Sequence, residues 1–167
     1  MRKVFALAAL AATCVAAVFV LAAAAAPATE SGRVIRFIEV DNERADRFVH
    51  ADHNNRASLG DSFAGSLKLY AWAEGGGRGK RIGHAEIMCT FASANSAFCQ
   101  GAFFLPGGRI EGQGYTKLAG TVKVVVTGGT GAYAGARGTF TSRQISDTRD
   151  ADGNFVSVSA DVIRLVP

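Results

Sequence analysis

A chain of 167 residues with 18 Lys and Arg against 14 Asp and Glu carries a formal charge of only +4, too small for electrostatic binding of a polyanion to be its organising feature. Two of those cations, Arg2 and Lys3, precede an unbroken apolar run from Val4 to Ala26. Setting that segment aside leaves about 140 residues with a charge near +2, enough for one domain with one core and too few for two of ordinary size.

The basic start, the apolar run and the small residues beside Pro27 are the pattern of a secretory signal peptide over residues 1–26, with cleavage near Ala26 or Ala28. The run is also long enough to span a bilayer as an uncleaved anchor. Cleavage predicts a secreted, extracellular protein with no stable membrane insertion and no nucleic-acid partner. Cys14 lies inside the apolar run without a leucine-led lipobox, so a lipoprotein is not expected. Residues 27–32 read as a disordered linker, and 33–167 as the folded domain.

Within that domain, period-2 segments bounded by Gly, Asn, Asp and Pro recur, and no window suits a sizeable amphipathic helix. Strands are predicted over 33–41, 61–73, 81–91, 97–105, 109–117, 121–127, 136–145 and 154–165. Short connections such as Pro106-Gly107-Gly108 imply sequential antiparallel neighbours. Eight such strands either close or leave two edges to protect, so the fold expected is an all-β, eight-stranded antiparallel closed barrel.

The segment 42–59 is polar and is the longest connection, either a solvated loop or a lid. Arg78, Lys80 and Arg81 stand among glycines and read as a loop tip rather than a nucleic-acid footprint. His50, His53 and His84 show no ligand spacing beyond His50-x-x-His53, so neither a metal nor a cofactor is expected.

Only Cys89 and Cys99 remain after processing, an even number suited to an oxidising compartment. A hairpin turn centred on Ala94 places them opposite each other, and the pairing predicts a cross-strand disulfide.

The stretch Val122 to Gly138 contains Gly128-Gly129-Thr130-Gly131-Ala132-Tyr133-Ala134-Gly135-Ala136-Arg137-Gly138. A phosphate-binding loop needs a following helix, whereas Thr139 to Arg143 is β-like. The glycines instead suit a tight connection with Tyr133 folded back as a plug. This pattern resembles the strand-turn-strand signature of the allene oxide cyclases, and its Gly-Gly-Thr-Gly and Ala-Arg-Gly elements resemble dirigent proteins. Ile38 to Glu43, Leu59-Gly60-Asp61, Lys68-Leu69-Tyr70, Arg81-Ile82-Gly83 and Gln113-Gly114 extend the resemblance in order. The Cys-Gln-Gly and Leu-Pro-Gly-Gly elements look like an exported bacterial branch.

The resemblance implies a barrel with a largely apolar pocket, assembled as dimers or trimers, that binds a small apolar organic molecule. Its activity would be stereoselective cyclisation or coupling, an isomerase if catalytic. The alternative is a non-catalytic extracellular barrel that binds a ligand or a surface partner. Of the cyclase pocket set, Glu39 and Cys89 match by type, while Asp41 and Leu67 stand where Asn residues would be.

The expected acid or anchor groups are Glu39 and Asp41, with Arg137 pairing with Glu39 or Glu111, or polarising the ligand. Phe37, Leu67, Phe103, Tyr115 and Tyr133 are expected to line the pocket. Alternation puts Phe37, Glu39 and Asp41 inward on one strand, with Gly83, Ala85, Ile87 and Cys89 inward on another. His84 and Glu86 then point outward.

Overall fold

The computed structural model describes residues 32–52, 57–117 and 119–167. The expected signal peptide, nearly all of the expected linker and His53 lie outside these. Among the described residues no helix is long and apolar enough to cross a membrane.

Nine strands follow in chain order: β1 (Val34–Asn42), β2 (Arg47–Val49), β3 (Ser62–Trp72), β4 (Arg78–Ser93), β5 (Ser96–Leu105), β6 (Gly108–Lys117), β7 (Thr121–Gly131), β8 (Gly138–Arg149) and β9 (Phe155–Leu165). Each strand from β3 to β8 pairs antiparallel with the next. β1 then closes the sheet by pairing with β9 on one side and β3 on the other. The eight long strands therefore form a closed antiparallel barrel with no free edge between them.

The expectation of a single polar connection over 42–59 is corrected by β2. A 3-10 turn, Glu43–Ala45, is capped by the Asn42 side chain and followed by three residues that pair with Ser62–Ala64 at the start of β3. That strand is too short and too charged at Arg47 to show period-2 patterning.

Turn chemistry fixes the register. At Pro106–Gly107, proline pre-sets the first central position and Gly107 takes φ 93° at the second, which only glycine does without strain. The Val122–Gly138 connection is built as its glycines predict. Tyr133 is buried, and its hydroxyl donates to the Pro106 carbonyl at 3.2 Å. A side chain at Gly129 would run into the Tyr133 carbonyl.

Inward alternation fills one end of the barrel with Phe37, Leu69, Phe103, Ile110, Phe140 and Ile163. Phe37 packs on both Phe103 and Phe140, with centroids at 5.6 and 6.5 Å. Burying a side chain of this size contributes about 1.5–3 kcal/mol. A second cluster of Cys89, Phe91, Ala97 and Cys99 stands apart from it. Cys89 and Cys99 are paired in register with Cα atoms 4.0 Å apart, and their sulfurs are bonded.

Candidate functional site

Between the two clusters the barrel holds a cavity of about 330 Å³. Ala85, Gly101 and Gly112 are small residues on its wall. Leu67, Phe103 and Phe140 bound it towards the packed end, while Phe63, Phe91 and the Cys89–Cys99 disulfide bound it towards the other. Volumes of this order accommodate a small organic molecule.

Glu39 lines this apolar space. Its partial exposure is to the cavity, for the barrel surrounds it almost completely. Burial pushes its carboxyl well above the usual range, and the neighbouring Asp161 and Asp41 carboxyls push the same way.

Asp161 is the group that inspection of the sequence did not single out. It pairs in register with Phe37 on β1 and with Ser142 on β8, so it stands diagonal to Glu39 on the inward face. Its side chain has no solvent exposure. Burial raises it to about 7, against the lowering influence of the Ser142 hydroxyl and the Glu39 carboxyl. Those groups are close enough to bias its proton affinity, yet neither Asp161 oxygen makes a well-formed hydrogen bond. An acid at inward parity between Ala160 and Ile163 in a hydrophobic strand was the available signal.

Asp41 follows Glu39 at the same parity but lies outside the main cavity, beside Glu43 and Asp46 in a separate depression across Phe63. Burial raises Asp41, opposed by its hydrogen-bonding interaction with Asp46. Asp46 is pushed up to about 7 by burial and by the Asp41 charge. Among the described residues, no three His, Cys, Asp or Glu side chains are grouped to hold a metal ion.

The expected site set divides. Glu39, Leu67 and Phe103 meet at the cavity. Phe37 is fully buried in the packing next to it, and Tyr133 plugs the packed end. Tyr115 is 72% exposed and packs edge-on against Phe98, so it faces outward. Arg137 is also exposed, and its guanidinium donates to the Thr127 and Ala136 carbonyls at 2.7 and 2.8 Å. Glu111 instead pairs with Arg109. As expected, His84 and Glu86 are on the outside.

No known family model matches the chain, and no curated protein sequence does. Solved structures do. The pterocarpan synthase dirigent protein PsPTS1 superposes with a TM-score of 0.62 at 16% identity, covering 84% of this chain and 99% of that one. The fold is that of the dirigent-type barrel. A second pterocarpan synthase dirigent protein, GePTS1, gives 0.57 at 18% identity, with 80% and 84% covered. A pyocyanin demethylase gives 0.59 at 21% identity, covering 80% of this chain and all of the other. At these identities the likeness is one of fold, and the dirigent-type barrel's chemistry rests on its own residues.

Proposed function

We propose that this barrel is a secreted protein that binds a small, largely apolar organic molecule in its central cavity and directs its stereoselective cyclisation or coupling. The observation that carries the reading is Glu39, a carboxyl on the wall of a largely apolar cavity, where burial raises its affinity for a proton. A neutral carboxylic acid in such a place donates a hydrogen bond or a proton to a reacting oxygen or nitrogen. Cavity walls that hold the ligand in one folded conformation supply the rest, because positioning alone lowers a barrier by several kcal/mol. Ligand classes named for the neighbouring structures, pterocarpan and pyocyanin, agree with a small organic occupant. The Cys89–Cys99 bond agrees with export to an oxidising compartment.

A second reading is a barrel that binds without catalysing. The disulfide favours it, since a bonded Cys89 offers no thiol to a reaction.

The two separate on the molecule that co-purifies with the protein. Under the first reading, wild type converts it, or its precursor, to one enantiomer in excess by chiral chromatography. Glu39→Gln then loses at least tenfold in rate while still binding. Under the second, neither protein accelerates any conversion.

A further inference from the structure

We infer that the cavity is built for a ligand with a positively charged or basic nitrogen centre, held by Glu39, with the Asp161 carboxyl buried behind it, against phenyl walls. This deepens the reading of the cavity as a ligand site and depends on it.

The cavity and its surroundings lack a counter-charge. Glu39 lines the space and Asp161 stands diagonal to it, while no lysine, arginine or histidine lines the cavity among the described residues. Asp161 is fully buried, and neither of its oxygens makes a well-formed hydrogen bond. The next ionisable group along the inward face of β1 is Asp41, another acid. A buried carboxyl pair without a cation is costly in a folded protein, and a ligand that brings the cation removes the cost.

The remaining walls agree. Phe63, Phe91, Phe103 and Phe140 all line the cavity, and the last two have centroids 4.7 Å apart at a 45° tilt. Phenyl faces attract a cation most strongly when water is excluded. An anionic ligand brings further negative charge beside two buried carboxyls and meets no cation on the wall. A neutral one accepts a hydrogen bond from Glu39 but brings no counter-charge to the pair. A basic nitrogen does both tasks: the Glu39 O–H bond breaks, an N–H bond forms on the ligand, and the carboxylate left behind faces the cation it made.

The test uses two three-ring probes of nearly the same shape, N-methylacridinium and 9-methylanthracene, titrated by fluorescence at pH 8 in 0.15 M salt to suppress surface binding. The cation is expected to bind wild type at least tenfold more tightly. In the Glu39→Gln/Asp161→Asn double variant that preference should vanish while 9-methylanthracene affinity stays within about twofold. The variant removes buried charge and so should fold. Asp41→Asn/Asp46→Asn should leave the preference intact, which distinguishes the cavity from the acidic depression beyond Phe63. Equal or tighter binding of the neutral probe to wild type overturns the inference and spares the cavity reading. Failure of both probes to bind overturns the cavity reading and the inference with it.

Discussion

Asp161 on β9 and Glu39 on β1 face the same interior from adjacent strands, one register step apart, with the Ser142 hydroxyl on the far side of Asp161. Two acids this close in an apolar barrel do not both ionise at neutral pH. The pair consequently holds a proton that exposed carboxyls would have lost.

This arrangement sets the sign of a pH effect on stability. Asp161 is raised from an ordinary value to about 7, and Glu39 is raised as well. Groups raised on folding stabilise the native state below the unfolded value, and that contribution is lost as pH climbs through the folded one. Thermal stability should therefore increase as pH is lowered from about 8 towards 5, each retained proton contributing about 1.4 kcal/mol per pH unit. Asp161→Asn should flatten that slope and raise stability at pH 8. A slope unchanged in Asp161→Asn would contradict the assignment. Asp46 contributes in the same direction, but its greater exposure weakens the effect.

The disulfide closes a separation of 10 residues. Loop closure of this size restricts the unfolded chain by about 2–3 kcal/mol. Cys89→Ala/Cys99→Ala should fold to the same barrel with a melting temperature lowered by roughly 6–12 °C. Thiol titration of the denatured, unreduced protein should find no reactive cysteine after export, and two free thiols there would refute the bond.

Asp61 holds the connection before β3. Its carboxylate accepts from the Ala51 and Ser58 amides at 2.7 and 2.9 Å, and from His50 at 3.2 Å. The Ala51 amide is the main cause of its lowered proton affinity. A depressed carboxyl stabilises above its unfolded value and loses that contribution as pH falls through the folded one, so the latch should open in acid below about pH 4. Asp61→Asn should speed amide exchange at Ala51 and Ser58 by at least tenfold at neutral pH, leaving β5 and β6 unchanged. Uniform loosening of the barrel would argue against a local latch.

The fold was legible because the eight long strands largely keep alternation and their turns carry the residues that turn geometry demands. The 108 and 131 glycines are one instance: they pair across β6 and β7, where a side chain on either would meet the opposite backbone. β2 was illegible because a three-residue strand has no period to read, and its existence depends on β3 extending beyond β1. For the site, alternation correctly turned Glu39 and Cys89 inward. Tyr115 was not assigned by alternation, which, with Gly112 and Thr116 lining the cavity, puts it on the other face. Arg137 was assigned by pattern, and its guanidinium spends its hydrogen bonds on nearby carbonyls. Asp161 went unread because its importance lies in a partner 122 positions away in sequence, which only barrel closure brings near.

The claim beneath all of this is that the central cavity is a ligand site, and native mass spectrometry of protein purified from its own cells tests it most directly. Wild type should carry one small organic molecule per chain, and Ala85→Phe, which fills the cavity from β4, should carry none at an unchanged β-sheet circular dichroism spectrum. An empty wild-type barrel that also takes up no apolar probe, or an Ala85→Phe variant that retains the same molecule, would contradict the account.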